Sequence, residues 1–271
     1  MLKDEKILLA GPWVGEFGWE LFCWQGYIRR MSKSYDKTIV IGRPNSKFLY
    51  SDFCDEYIEF NPESFKVDMW NCYGSKSYKH LVDNIKHTNY ISGIFDIGVR
   101  YTPSGVKDYK NLFKEQDFIK LETQKEKFKN KKYDIIFHCR NKSTGSDRNW
   151  SYEQWFNLYN LLKDKFSIAC IGNKECFFIP GTEDLRDINL EELIGVMGSS
   201  KLIIGPSSGP MHLASLAGLK HLVWSTEHNR VRYEKDWNPF KTELIFYSEG
   251  GWNPGPKKIS EIIKDIFLNE N

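Results

Sequence analysis

The chain has no long apolar run, no basic excess and no paired cysteines. None of its 271 residues falls in a stretch approaching the ~18 consecutive apolar positions that span a bilayer, so no transmembrane segment is expected. Lys and Arg number 38 against 36 Asp and Glu, a net charge of +2. That leaves little cationic surplus to displace counterions from a phosphate backbone, which argues against nucleic-acid partners. The six cysteines, Cys23, Cys54, Cys72, Cys139, Cys170 and Cys176, form no Cys-x-x-Cys pair. Their scatter argues against structural zinc and against a disulfide scaffold, and suits reduced thiols in a cytoplasmic protein. The N-terminal MLKDEKILLAG lacks the apolar core and cleavage site of a secretory signal and reads as a first buried strand. Gly-x-Ser-x-Gly, His-Glu-x-x-His and the Gly-x-Gly-x-x-Gly dinucleotide fingerprint are also absent, and no histidine spacing suits a metal.

What is present is an ordinary globular composition, 41% hydrophobic and 27% charged, with an unusual 15% aromatic content that includes nine Trp. A core does not require that many indoles, so some are expected to line a pocket. Short β-branched runs alternate with segments of helical spacing. Lys6–Ala10, Lys37–Ile41 and Glu56–Phe60 read as strands, with a helix over Trp19–Ser34 and a helical stretch over Asn45–Phe53. Residues 62–125 have weak periodicity, and the polar run Phe128–Lys132 reads as a solvated linker. The rhythm then restarts. Asp134–His138, Phe166–Ile171, Lys201–Gly205 and His221–Ser225 are predicted strands. Predicted helices cover Ser151–Lys163 (Ser151 as N-cap, Gln154 closing a capping box), Leu190–Met197, Pro210–Ala217 and Ile259–Phe267. Two such sets imply two doubly wound α/β domains.

Four segments stand where open α/β sheets bind ligands, beyond strand carboxyl ends. In KLIIGPSSGPMHLASLAG the loop Gly205–Gly209 runs into a helix N-terminus, whose free N–H groups favour phosphate. Ser207, Ser208, Gly209 and His212 are the candidate anion ligands, against the alternative of a plain structural turn. In GPWVGEFGWEL the glycines allow close backbone approach, and Glu16 or Glu20 could serve as a general base or simply be solvated. In HCRNKSTGSDRNW, Arg140 directly follows a strand, with Lys142 and Arg148 nearby; guanidinium forks suit phosphate, although a surface ion-pair cluster fits as well. TEHNRVRYEKDW is dense in charge and reads as a ligand loop or as a solvated one.

GPSSGPMHLASLAG resembles the Asp-Ser-Gly-Pro-x-His-Leu-Ala signature of glycosyltransferase family 9, the heptosyltransferase-like enzymes. RNWSYEQWFNLYNLL is similar to that family's Lys-x-Trp-Pro helix start, and GEFGWELF stands in the place of its glycine-rich first loop. Ser207 occupies the position of the family's Asp, Arg148 that of its Lys. His138-x-Arg140 and the paired serines also look like GDP-fucose-dependent fucosyltransferases. The resemblance implies a GT-B fold of two Rossmann-like domains. Residues 1–127 would form an acceptor domain and 128–255 a nucleotide-sugar domain, with a helix at 256–271 returning to the first. It further implies an inverting, metal-independent glycosyltransferase with no cofactor, using a nucleotide diphosphate sugar and a glycan or glycolipid acceptor. Glu20, then Glu16, would be the base. Arg140, Arg148, Ser207, Ser208, Gly209 and His212 would hold the diphosphate. Gly15, Gly18, Trp13 and Trp19 would lie at the acceptor, and Trp150 and Trp224 are further stacking candidates. The implied location is cytoplasmic, with peripheral membrane contact left open. A non-catalytic nucleotide- or glycan-binding protein of the same fold, or a nucleotide-sugar epimerase-like enzyme, are the competing readings.

Overall fold

A computed structural model of the chain describes residues 7–11, 16–59, 116–123, 132–143 and 145–269. The chain divides into two compact units, Met1–Ile119 and Lys120–Asn271. The expected boundary at 127/128 lies further along than this division. Leu121 N–H donates to Leu216 O and Thr123 hydroxyl to Glu191, so residues ahead of that boundary belong to the second unit. The expected linker 128–132 lies almost wholly outside the described residues, as do Trp13 and Gly15.

The first unit carries a parallel sheet ordered β1 (Ile7–Ala10), β2 (Lys37–Gly42), β3 (Glu56–Glu59). Between β1 and β2 the chain forms a short helix α1 (Phe17–Trp19), a π turn (Glu20–Trp24) and a helix α2 (Gln25–Ser32). The π turn widens one turn by a residue, so Glu20, Leu21, Phe22, Cys23 and Trp24 are all buried in succession, a pattern that no straight helix presents to one face. The buried Arg29 anchors α2. Its Nε and Nη2 donate to Asp52 at 2.7 and 3.0 Å, and Nη2 also to Leu49 O at 3.0 Å. Its Nη1 donates to Gln25 at 2.5 Å and Asp117 O at 2.8 Å, so all five N–H groups of the guanidinium have acceptors.

The second unit carries a six-stranded, wholly parallel sheet ordered β6-β5-β4-β7-β8-β9. The strands are β4 (Ile135–His138), β5 (Ile168–Gly172), β6 (Glu183–Arg186), β7 (Leu202–Pro206), β8 (His221–Trp224) and β9 (Leu244–Tyr247). The helices are α3 (Tyr152–Leu162), α4 (Leu190–Ser199), α5 (Gly209–Ala217) and α6 (Pro256–Leu268). α3 starts with the expected capping box: Ser151 hydroxyl accepts from Gln154 N–H, and the Gln154 side chain accepts from Ser151 N–H. α5 ends at Gly218 in the left-handed conformation. Strand alternation sends Ile135, Phe137, Ile204, Leu222 and Trp224 to one face of the sheet. There Trp155, Leu158 and Leu162 of α3 meet Ile259 and Ile263 of α6.

Two expectations give way here. The C-terminal helix packs on α3 within its own unit, because its apolar stripe at Ile259 and Ile263 completes that core. Trp150 and Trp224 are fully buried and stack on each other at 4.5 Å, with Trp155 edge-on to Trp150 at 5.0 Å. The indoles furnish the core and offer no stacking face to a sugar or base. Replacing Ile259 with Ala should cost about 2–5 kcal/mol, against roughly 1 kcal/mol for Ser151→Ala, because the first leaves a cavity and the second removes a cap. Urea unfolding followed by the buried indoles' fluorescence checks the ratio; equal shifts in midpoint would refute the placement of α6.

Candidate functional site

The order of the second sheet reverses between β4 and β7, so consecutive strands run outward in opposite directions from that pair. At such a switch point the loops leaving the two carboxyl ends part and expose a crevice. Here those loops are Cys139–Asn149 and Ser207–Gly209. The register Phe137↔Ile204 brings their starting points side by side, and a Cβ on Gly205 would stand 3.2 Å from the His138 carbonyl oxygen.

The turn from β7 into α5 is built around Tyr233, in a π turn at Arg232–Asp236. The buried Tyr233 hydroxyl donates to Ser207 Oγ at 3.0 Å and accepts from Ser208 N–H at 3.2 Å. Ser207 N–H in turn donates to Trp224 O, at the end of β8. Ser208 is the N-cap residue of α5, yet its hydroxyl makes no cap bond, and Oγ is buried with no hydrogen-bond partner. Gly209, Pro210 and Met211 form the first turn; proline has no N–H, and the N–H groups of Gly209 and Met211 have no carbonyl of their own helix to meet. The positive end of α5 and a spare hydroxyl therefore converge on one spot.

Arg148 supplies fixed charge. Its guanidinium lies 5.5 Å from the centre of the Trp252 ring, and Asn253 donates to Asp147 O at 3.4 Å, which ties its loop to the segment after β9. Gly145 turns that loop with φ +62°, and a Cβ there would lie 2.4 Å from Arg148 Nη2, so a side chain would strain the backbone and displace the guanidinium. Burial lifts the Tyr233 phenol above its usual range, while the Ser207 hydrogen bond and the charges of Arg232 and Arg148 hold the rise in check. The hydroxyl that holds Ser207 and Ser208 thus lies in the field of Arg232 and, more weakly, of Arg148.

Arg140 and His212 are placed differently from the sequence reading. Arg140 is buried, and its Nη1 donates to Gly145 O at 2.9 Å and to Asn149 Oδ1. It shapes the loop that carries Arg148. His212 lies beneath α5, stacked on Tyr233 at 4.2 Å with Trp237 edge-on at 4.5 Å. Burial, with Arg232 and His221 nearby, holds its pKa well below the usual value, so the ring is neutral and brings no charge to an anion. Tyr233 and Asn149 were missed by sequence reasoning; a tyrosine within a charged loop after a strand end was the available signal.

In the first unit Glu16 is exposed at the N-cap of α1, with no side-chain cap bond, and its carbonyl accepts from Trp19 and Glu20 N–H. Gly18 is buried and Trp19 half-buried. Glu20 is fully buried and accepts from Tyr50 hydroxyl at 2.8 Å. Burial raises its pKa, and Arg43, Tyr50 and Ser46 oppose the rise. Among the described residues no group of three or more His, Cys, Asp or Glu could hold a metal ion, and no helix is long and apolar enough to cross a membrane.

No protein-family model and no curated protein matches the chain. Solved structures do. A glycosyl transferase of family 9 from Veillonella parvula superposes with a TM-score of 0.66 at 11% identity, covering 99% of this chain and 98% of that one. The E. coli ADP-heptose LPS heptosyltransferase II gives 0.62 at 14%, over 98% and 99%. E. coli heptosyltransferase WaaC with ADP-2-deoxy-2-fluoro heptose gives 0.56 at 11%, over 96% and 99%. The chain therefore has the α/β fold of the GT-B glycosyltransferases, and its whole length matches heptosyltransferase-like structures of family 9, as the Gly205–Gly218 segment led one to expect.

Burial lowers the pKa of His138 to about 3 and of His221 to about 4, against 6.5 for a free side chain. The unfolded chain therefore binds more protons between those values. The stability gained from neutral, buried rings is complete above pH 6.5 and falls as pH drops through the window, by about 1.4 kcal/mol per unit for each ring. Melting curves of the wild type should descend from pH 7 to 5, and His221→Gln should flatten the descent. A parallel slope for the variant would refute the buried neutral state.

Proposed function

We propose that the protein is an inverting glycosyltransferase that moves a sugar from a nucleotide diphosphate sugar to a glycan or glycolipid acceptor without a metal. One observation carries the reading: the uncapped N-terminus of α5 and the spare Ser208 hydroxyl stand at the switch point of a parallel sheet, with Arg148 in the loop that leaves the neighbouring strand β4. Donor N–H groups and a guanidinium fixed before the reaction would stabilise the charge that grows on a departing diphosphate, the role a divalent ion plays elsewhere. Arg140 serves this site by shaping the loop. Whole-chain likeness to heptosyltransferases, one of them holding an ADP-heptose analogue, supports a nucleotide-sugar donor.

Glu16 is the better base. It is exposed where the chain enters α1, and its carboxylate is available to take the acceptor hydroxyl's proton as that oxygen attacks the anomeric carbon. Glu20, sealed beneath the π turn with Tyr50, does not present an open oxygen to solvent. Gly18 and Trp19 border the same entry. The reading places the enzyme in the cytoplasm, where nucleotide sugars are the substrates at hand.

A melting-temperature panel of ADP, GDP, UDP, CMP and dTDP identifies the nucleotide, since a ligand specific to the folded state raises apparent stability. Calorimetry on the nucleotide so found should show Arg148→Ala weakening it by about 1.5–3 kcal/mol, the scale of a charge-assisted hydrogen bond. An unchanged dissociation constant would dismiss the diphosphate site.

Glu16→Gln should lower turnover roughly 10²–10⁴-fold with nucleotide affinity retained. Turnover in EDTA should equal that in its absence, and the product should carry the anomeric configuration opposite to the donor's. Activity that needs manganese or magnesium, or retention of configuration, would contradict the mechanism.

A further inference from the structure

In the second unit, the loops that leave β4 and β9 meet at the Arg148 side chain. Gly145 O accepts from Arg148 N–H at 3.1 Å and from Arg140 Nη1 at 2.9 Å, so the buried Arg140 pins the turn that precedes Arg148. A Cβ on Gly145 would stand 2.4, 2.7 and 3.0 Å from Nη2, Nε and Cζ of Arg148. The guanidinium is thus laid across the place where that residue has no side chain. On the other loop, Gly250 and Gly251 turn the chain with φ of +81° and +57°, which glycine adopts without strain. Gly251 N–H donates to Ser248 O at 2.9 Å and Asn253 N–H to Gly250 O at 3.0 Å. The turn sets the Trp252 ring against the guanidinium, with Arg148 Cζ over the ring and 5.5 Å from its centre. Asn253 Nδ2 reaches Asp147 O at 3.4 Å, which joins the two loops a second time.

Arg29, Arg186 and Arg230 are held by carboxylates, those of Asp52, Asp184 and Glu227. Such a partner cancels the charge that it holds. Among the described residues no carboxylate pairs with Arg148. An indole face attracts a cation through its ring quadrupole and adds no net charge of its own. Arg148 and Trp252 are both half-buried, so the pair is in reach of a solute. It stands on the ligand side of the sheet, since β4 and β9 run the same way and both loops leave carboxyl ends. The turn after β9 also meets the loop after β8, where a Cβ on Gly251 would lie 3.7 Å from Thr226 Cγ2.

We infer that Trp252 is a positioning residue, which holds the Arg148 guanidinium in place, with its charge uncancelled, to receive a diphosphate group. The inference rests on the transferase reading only in assigning that diphosphate to a nucleotide sugar. A guanidinium ordered beforehand loses less side-chain freedom when an anion arrives, and its planar fork then meets two oxygens at once. Trp252 acts through Arg148 and needs no contact of its own with the ligand. Two other roles for the indole make different demands. A platform for a base or sugar would matter whether or not Arg148 were present. Simple packing of the turn would be served by any bulky apolar side chain, and Arg148 would keep its place without the ring.

The test is nuclear magnetic resonance of the full-length protein, labelled with nitrogen-15 at arginine and titrated with sodium pyrophosphate at constant ionic strength. The Nε–H signal of Arg148 is assigned by its loss in Arg148→Gln. A ring current shields protons above an aromatic face, so the wild type should show that signal upfield of the exposed arginines. Trp252→Leu should return it to their position, and Trp252→Phe should keep part of the shift. Pyrophosphate should bind Trp252→Leu roughly three- to tenfold more weakly than the wild type, the scale of a half-exposed cation–π contact, with Trp252→Phe between the two. In the Arg148→Gln background the same Trp252→Leu change should alter affinity by about twofold at most, because there is no cation left to place. Gly145→Ala, which displaces the guanidinium from the other loop, carries the comparison should Trp252→Leu not fold; it should remove the upfield shift and weaken pyrophosphate while far-ultraviolet dichroism stays that of the wild type. Four results would overturn the inference: an unshifted Arg148 signal in the wild type, no pyrophosphate bound by it, equal affinity in Trp252→Leu, or an equal loss in both backgrounds. Nucleotide-induced melting shifts, read on the same samples, report the transferase reading. Their absence with the pyrophosphate result intact would dismiss that reading alone.

Discussion

The second unit depends on the parallel pairing of β4 with β7. That register, Ile135↔Leu202 through Phe137↔Ile204, joins two halves of a sheet that grow in opposite directions. Both strands are buried on both faces, and their apolar runs leave no ambiguity about where they lie. Because the pair is rigid, the loops that leave its carboxyl ends start from fixed points. The Arg140 loop and the Ser207 turn are neighbours for that reason, although about sixty-five positions separate them in the chain.

The two units manage buried charge and polarity in contrasting ways. Arg29 is enclosed, and each of its five N–H groups meets an acceptor; removing Asp52 or Gln25 would leave donors stranded in the interior. The histidines of the second unit take the opposite course and shed their charge, as burial among Tyr233, Trp237 and the strand ends disfavours protonation. Ser208 does neither. Its unsatisfied hydroxyl stands beyond the carboxyl end of β7, where a parallel sheet receives ligands.

Much of the second unit was legible in the sequence. Strands β4, β5, β7 and β8 are short, apolar and bounded by polar residues, and the capping box at Ser151 names its helix start outright. The edge strands were not legible. β6 is Glu-Asp-Leu-Arg with only Leu185 buried, and β9 has no fully buried residue, so neither shows the run or alternation of a covered strand. Of the site, the turn before α5 was readable from its glycines and serines. The roles within it were not, since composition does not reveal that Arg140 folds back on its own loop or that His212 lies beneath the helix. Abundant tryptophan suggested a binding surface; three of the indoles instead build one core. In the first unit, the spacing over Trp19–Ser34 implied one regular helix.

That assumption fails at the π turn, where Gln25 N–H reaches Glu20 O instead of the residue one place later. A π turn is an α-helix with one residue inserted, and an insertion swings the residues before it by about 100° relative to the turns after it. Deleting one of Leu21–Trp24 would restore a regular spiral and carry the Glu20 side chain around the helix, away from Tyr50. The extra residue thus decides which face of the helix carries the Glu20 carboxylate, and with it that this carboxylate is hidden.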